Sequence, residues 1–269
     1  MFYFAVLLSV YAKEKSLYLD QALKSIYTDQ ILKPDQVVLV VDGPVGDSLN
    51  RVIQVWQQNL GSVLTVVFLE TNVGLAKALN EGLRFCKFDL VARMDTDDIA
   101  LPARFKKQVD FMISNPDISV SSGCIEEWSQ DFSAKISERR LPLDHNSILS
   151  FSKKRSPISH PAVIFRKSAV LDVGGYPAIY PEDYPLWGTM LAKGYKFSNL
   201  PDVLLKMRVG NALVERRGKE FLKGEIKVFK HLYSVGLINR YELFRNVFVR
   251  SFVRLSPVLV KKILYKYFR

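Results

Sequence analysis

Three carboxylates stand within four residues in Arg93-Met94-Asp95-Thr96-Asp97-Asp98, directly after the apolar run from Phe88 to Ala92. Carboxylates this close repel one another. The arrangement is tolerated when a divalent cation or a set of hydrogen-bond donors neutralises it. Hard cations such as Mg2+ and Mn2+ take oxygen ligands, shared between protein carboxylates and a substrate diphosphate. The competing reading is an acidic turn in which Asp97 and Asp98 cap a helix from Pro102 to Ile113. The motif alone supports both readings equally, and the rest of the chain favours a metal-nucleotide site. A second acidic pair, Glu182-Asp183, precedes a helical stretch from Tyr184 to Leu191, where the helix dipole alone would favour acids. His160 is one of three histidines, and a histidine in isolation is more often structural than catalytic.

The elements that must position these groups alternate strand and helix patterns. Phe4 to Val10, Val37 to Val41, Val63 to Leu69 and Phe88 to Met94 read as strands. Between them, Leu19, Ala22, Leu23, Ile26 and Tyr27 mark one helical face with Ser16 as its N-cap, and Ser48 to Asn59 and Leu75 to Cys86 read as further helices. Strands that are apolar throughout and separated by helices imply an α/β fold with a mostly parallel sheet covered on both faces. Ligands bind such sheets at the carboxyl ends of the strands. Glu14, Asp42, Asn72 and Asp95 to Asp98 follow the four strands in turn, so polar groups converge on one sheet edge. There is no Gly-x-Gly-x-x-Gly and no phosphate loop ending in Gly-Lys-Ser/Thr, which excludes the dinucleotide and P-loop readings.

The ordered set of motifs resembles the bacterial family 2 glycosyltransferases of GT-A fold that build O-antigen and capsular repeat units. The matching stretches are Ser9-Val10-Tyr11-Ala12-Lys13-Glu14, Val40-Val41-Asp42-Gly43 and Asn72-Val73-Gly74-Leu75-Ala76-Lys77-Ala78-Leu79-Asn80, then the Arg93 to Asp98 motif, His160-Pro161, Gly174-Gly175-Tyr176 and Glu182-Asp183-Tyr184. The resemblance implies a UDP-sugar donor. It implies that Asp42 meets the uracil ring, that Glu14 lies beside the nucleoside, and that Asn72 and Gly74 close over the nucleotide. Arg93 is left between pairing with the carboxylates or the diphosphate and a structural salt bridge. Asp95 and Asp97 become ligands of the ribose and of a Mn2+ or Mg2+ ion, with Asp98 supporting or coordinating. Asp183 is implied as the base that deprotonates the acceptor hydroxyl, with Glu182 as helper, and His160 is placed near the donor sugar or the acceptor. One departure stands out: many members carry Arg-x-His after the base, and here the run is Arg208-Val209-Gly210.

Composition bounds the rest. With 48% hydrophobic residues, 269 residues can bury a full core. Two cysteines, Cys86 and Cys124, are too few for a disulfide scaffold, and the opening Phe2 to Ala12 reads as a buried strand and not a signal peptide. No uncharged apolar run is long enough to span a bilayer. These features predict a cytoplasmic protein. Residues 219–269 hold twelve Lys/Arg against three Glu, leaving only +2 of the net +11 for the remainder. The expected organisation is a GT-A domain over residues 1–210 (a nucleotide half, 1–113, and an acceptor half, 114–210) and a basic helical tail over 211–269. In that tail Phe244, Val247, Phe248, Ser251, Phe252 and Leu255 recur at helical spacing, and Val258, Leu259, Ile263, Leu264, Tyr267 and Phe268 continue the pattern. Such a helix suits an anionic membrane surface.

The reading is an inverting hexosyltransferase from a UDP-sugar, galactose or glucose favoured, to an N-acetylhexosamine on undecaprenyl diphosphate. It would form a β-linkage and sit peripherally on the inner face of the cell membrane, with no nucleic acid as partner. The alternatives are a nucleotidyltransferase acting on sugar phosphates, which also uses paired acids and a metal, and a basic nucleic-acid-binding protein.

Overall fold

A computed structural model describes residues 3–209 and 219–256. The first half runs β1 (Phe4–Val10), α1 (Ser16–Ile26), β2 (Gln36–Val41), α2 (Asp47–Leu60), β3 (Leu64–Phe68), α3 (Leu75–Phe85) and β4 (Leu90–Arg93). It continues with β5 (Ile99–Ala100), α4 (Arg104–Ser114), β6 (Ile118–Trp128), β7 (Lys135–Arg139), α5 (His145–Ser152), β8 (Ile164–Arg166), α6 (Lys167–Asp172), α7 (Asp183–Ala192), β9 (Lys196–Arg208), α8 (Lys219–Ser234) and α9 (Arg240–Leu255).

Among the described residues one nine-stranded sheet has the order β3-β2-β1-β4-β8-β6-β9-β5, with β7 beside β6. The pairings from β3 to β4 are parallel, as the continuous apolar strands require. Beyond β4 the sheet is mixed: β8 is antiparallel to both β4 and β6, β9 is parallel to β6, and β5 and β7 are antiparallel edges. The parallel character foreseen from sequence thus describes the nucleotide half. The other half joins the long strands β6 and β9 to the short β5, β7 and β8, with mostly antiparallel pairings.

Alternation along the strands divides the interior into two cores. Phe4, Val6, Leu8 and Val10 face α1, α2 and α4, where Leu23, Ile53 and Phe105 are buried. Ala5, Leu7, Val38 and Val40 face α3, α7 and α8 through Leu79, Trp187 and Phe229. Helix α8 buries Val228, Phe229 and Leu232 in the same core as β1, so the first helix past residue 210 is packed onto the body.

Two local expectations change. Ser16 opens α1 instead of capping it: the N-cap is Lys15, whose side chain makes no cap bond. Asp97 and Asp98 do not cap the following helix, because β5 intervenes and α4 begins after Ala103. Gly43 and Asn80 explain two motif positions. Gly43 has φ +83°, and a Cβ there would meet the Asn72 backbone nitrogen at 2.5 Å, so the turn after β2 needs glycine. Asn80 on α3 accepts from Tyr176 N–H and donates to Tyr176 carbonyl, both at 2.7 Å, tying the Gly174-Gly175-Tyr176 turn to the first half.

We predict that Asn80→Ala, which breaks both bonds and leaves the Tyr176 backbone groups unpaired, destabilises the protein by about 1–3 kcal/mol. Urea unfolding checks this, and a midpoint unchanged from wild type would contradict it.

Candidate active site

The carboxyl ends of β1, β2 and β4 carry the predicted groups, and side chains from distant segments fix them there. Asp95, Asp97 and Asp98 offer carboxylate oxygens that all lie within 4.8 Å of one another. Arg93, buried at the end of β4, grips Asp95 with both ends of its guanidinium; the Nη1 bond is 2.6 Å and Nη2 takes the other oxygen. This carboxylate pair is contained in both readings of Arg93, the site contact and the structural salt bridge. Asp98 is buried, and its Oδ1 accepts the Arg208 backbone N–H at 2.9 Å. Its Oδ2 is buried and has no hydrogen-bond partner among the described residues.

Burial, then Asp95 and Glu14, push the Asp97 carboxyl up to about 7. Burial, Asp97 and Asp95 raise Asp98 well above the usual carboxylate range. An orphaned buried oxygen beside two carboxyls that resist ionisation is the signature of a missing positive charge. All-oxygen donors at this spacing suit a hard divalent cation, so the residues present fit the implied Mn2+ or Mg2+.

Arg208 does work that sequence reasoning left unassigned. Its Nε donates to the Asp97 carbonyl and its other nitrogens to the Gln130 carbonyl and the Gln21 side chain. The guanidinium is sandwiched between the rings of Tyr18 and Phe132, at 3.8 and 4.1 Å from their centroids. It therefore locks the acidic turn to β9. Gly210, at the place of the histidine in the Arg-x-His motif, lies outside the described residues. Arg104 is the second unforeseen cation: fully buried on α4, it donates to the Arg93 carbonyl at 2.7 Å and to Gln108. Burial lowers it to about 9. Neither had a signal in its own residue type, although the Arg-x-His motif already marked the position of Arg208.

Glu14 and Asp42 reach the same edge. Glu14 Oε2 accepts from Thr96 Oγ1 at 2.9 Å, which ties the loop after β1 to the acidic turn. Thr96, unremarked as the middle residue of Asp-x-Asp, is thus a brace. The buried Asp42 carboxylate accepts from Asn72 Nδ2, Val73 N–H and Gly74 N–H at 3.1, 2.7 and 3.1 Å. Asp42, Asn72 and Gly74 are therefore brought together, with the aspartate holding the loop.

Glu182 and Asp183 open α7. Burial and then Asp183 raise Glu182; Arg93 opposes this and Asp95 adds to it, so the charges of the acidic turn are felt at the acid pair. Burial raises Asp183 against the opposing effect of Ser156, whose Oγ donates to Asp183 Oδ2 at 3.2 Å. His160 is buried, bonded through Nε2 to the Tyr176 hydroxyl at 3.1 Å and packed edge-on to Trp187. Burial and then Arg93 drive its pKa well down, so the ring is neutral.

The sequence profile of Glycosyl transferase family 2 matches residues 6–173, more than half of the chain. This chain belongs to that family. It is 41% identical to the amylovoran biosynthesis glycosyltransferase AmsE of Erwinia amylovora, over 98% of both chains. It is 40% identical to the UDP-Gal:alpha-D-GlcNAc-diphosphoundecaprenol beta-1,3-galactosyltransferase of Escherichia coli, over 98% of this chain and 95% of that one. Among solved structures, the mannosyltransferase PcManGT from Pyrobaculum calidifontis, in complex with GDP-Man and Mn2+, superposes with a TM-score of 0.64 at 17% identity, covering 98% of this chain and 78% of that one. The protein is a glycosyltransferase of bacterial polysaccharide biosynthesis type with the GT-A fold, and the nucleotidyltransferase alternative falls away.

The raised carboxyls set a pH signature. Asp97 in the fold binds its proton up to about 7, against about 3.9 in an unfolded chain. The metal-free fold thus holds more protons than the unfolded chain between those values, and the stability this group contributes is lost as pH rises through that window. We predict that metal-free wild type loses stability relative to Asp97→Asn from pH 4 to 7. Melting curves of both proteins in EDTA would contradict this if the difference were constant across that range.

Proposed function

We propose that this glycosyltransferase moves a hexose, galactose in first place and glucose in second, from its UDP-sugar to an N-acetylhexosamine on undecaprenyl diphosphate, with inversion to a β-linkage. One observation carries the reading: the Asp95, Asp97 and Asp98 carboxylates converge within 4.8 Å at the sheet edge, the charges of Arg93 and Asp95 reach Glu182 at the start of α7, and Asp183 beside it lines a cavity. A donor diphosphate at the first and an acceptor hydroxyl at the second is the division that glycosyl transfer needs. The UDP-galactose donor and lipid-diphosphate acceptor in the name of the 40%-identical E. coli relative support this choice of substrates.

The roles follow from the chemistry of each group. Asp42 keeps acceptor capacity beyond its three loop bonds and faces the uracil imide N–H, while Asn72 and Gly74 hold the loop closed over the base. Asp97 and Asp98, with Asp95 fixed behind them by Arg93, would hold Mn2+ or Mg2+, and the bound cation would neutralise charge developing on the UDP leaving group. Asp183 takes the proton of the attacking hydroxyl. Ser156 orients its carboxylate, and Glu182 binds or positions the acceptor. Burial makes Asp183 a stronger base than an exposed aspartate, which suits that task.

The protein would work on the inner face of the cytoplasmic membrane. Among the described residues no helix is long and apolar enough to cross a membrane. Helix α9 instead turns its aromatic residues outward: Tyr241, Phe244, Phe248 and Phe252 are each at least 60% exposed and fall on one face. Leu243 and Val247 pack inward on the core. The apolar face anticipated from sequence is therefore divided: Val247 serves the body, and the aromatic residues serve the surface. Side chains of Leu255 and residues beyond 256, also assigned to that surface, lie outside the described residues. An aromatic ridge of this kind suits insertion at headgroup depth.

Two predictions test this function. Asp183→Asn should lower kcat by about 100- to 10,000-fold while UDP affinity stays the same, measured with a panel of UDP-sugars and a synthetic lipid-diphosphate-GlcNAc acceptor in Mn2+. Wild-type kcat should fall on the acid side at a pH above about 3.9, the ordinary aspartate value, because the base must be ionised to act. Near-wild-type turnover in the variant would remove Asp183 from the role. Separately, Phe244→Ser with Phe248→Ser should release the protein from anionic vesicles in a sedimentation assay; undiminished binding would place the membrane contact elsewhere.

A further inference from the structure

The turn that joins β6 to β7 is built around a residue in an unfavourable conformation. Phe132 has φ +59°, and among the described residues it is the only non-glycine residue with a positive φ. A hairpin loop made of a tight turn and one left-handed residue takes glycine at that position by preference. A side chain there sets its Cβ against the following carbonyl. The loop nevertheless pins the ring in place. Phe132 N–H donates to the Ser129 carbonyl at 3.0 Å, and Ser129 N–H to the Ala134 carbonyl at 2.9 Å. Asp131 Oδ1 accepts from Ser133 N–H at 3.1 Å and from the Ser129 and Ser133 hydroxyls at 2.7 and 2.8 Å. From Gln130 to Ile136 Phe132 is half-buried and every other residue is exposed. Phe132 belongs to neither apolar core. Strain of this kind persists only where the surroundings hold it, and it directs attention to what the held side chain touches.

That partner is Arg208. Its guanidinium lies between the Phe132 ring, 4.1 Å from the centroid, and the Tyr18 ring, at 3.8 Å. Trp128 on β6 meets Phe132 edge-on with ring centroids 6.5 Å apart, and Lys206 lies over Trp128 at 4.6 Å. The same hairpin offers the Gln130 carbonyl to Arg208, and α1 offers the Gln21 side chain, three residues on from Tyr18 and on the same face. Held by these contacts, Arg208 donates from Nε to the Asp97 carbonyl and from its backbone N–H to Asp98 Oδ1, at 2.9 Å. Two contacts therefore connect the hairpin tip to the acidic turn: ring to guanidinium, and guanidinium to Asp97.

We propose that Phe132 is a positioning residue of the cation site. Its ring clamps Arg208, and Arg208 sets the backbone from which the Asp97 and Asp98 carboxylates meet a divalent cation shared with the donor diphosphate. The inference rests on the reading of Asp97 and Asp98 as cation ligands. Groups that hold the ligands tune metal affinity without touching the ion. The work requires an aromatic face, because that is what attracts a guanidinium. Glycine would relieve the backbone and lose the clamp, so the strained conformation and the clamp come together.

Mn2+ binding is measured in the presence of UDP, from the loss of the free-ion EPR signal. Phe132→Ala and Phe132→Gly should each weaken it about 2- to 30-fold, the range spanned by one cation–ring contact. Phe132→Tyr should bind as tightly as wild type. The two small variants separate positioning from stability. Glycine accepts a left-handed backbone and alanine does not, so Phe132→Gly should melt above Phe132→Ala while losing the same Mn2+ affinity. Affinity that followed the melting temperatures through the series would overturn the proposal. So would wild-type affinity in both small variants.

Wild-type protein that bound no Mn2+ with UDP would remove the cation reading itself. Hydrogen exchange of metal-free protein over residues 96–100, where β5 pairs with β9, then decides the clamp. Faster exchange in both small variants supports it, and exchange equal to wild type refutes it.

Discussion

Mutual repulsion among Asp95, Asp97 and Asp98 is the constraint around which the rest of this structure is arranged. Three carboxylates within 4.8 Å cannot all be charged in a half-buried turn without compensation. The fold answers with three arginines, each from a different element. Arg93 on β4 neutralises Asp95, Arg104 on α4 sets a buried positive charge behind the turn, and Arg208 at the end of β9 binds its backbone. The compensation is incomplete: Asp98 keeps an oxygen with no partner among the described residues, and burial and neighbouring acids push Asp97 up to about 7. That remaining deficit of positive charge is what a divalent cation would fill.

The same constraint explains why the sheet changes character at β4. Four parallel strands present their carboxyl ends as a shelf. The chain then passes through the acidic turn, forms the short edge strand β5, and returns through β9, whose last residue is Arg208. β9 runs parallel to β6 and so delivers Arg208 to the shelf. Asn80 and Tyr176 fasten the turn before the Glu182-Asp183 pair to α3, which packs on β1 and β2.

Much of this could be read from residues alone, for definable reasons. The apolar runs at Phe4 to Val10 and Val37 to Val41 have few alternatives to buried parallel strands, and the polar residues that follow them mark the working edge. The mixed half was less legible. β8 is three residues long and β5 two, too short for a period to register. Arg104 carries no sequence signal of its own: it is buried on α4 and donates to the Arg93 carbonyl at the end of β4. Asp42 illustrates a subtler limit: its place after β2 could be read, yet sequence could not show that its carboxylate braces the loop at residues 72–74. On α9 helical spacing grouped Val247 with Phe244 and Phe248, and only the packed structure shows one turned inward and the others out.

The account stands on the acidic turn being a cation site shared with the donor diphosphate. The most direct test is anomalous diffraction from crystals grown with Mn2+ and UDP. The account predicts one manganese peak in contact with the Asp97 and Asp98 carboxylates and with the UDP phosphates, with Asp95 still held by Arg93. UDP bound at this edge with no manganese at these carboxylates, or manganese bound elsewhere on the protein, would contradict it.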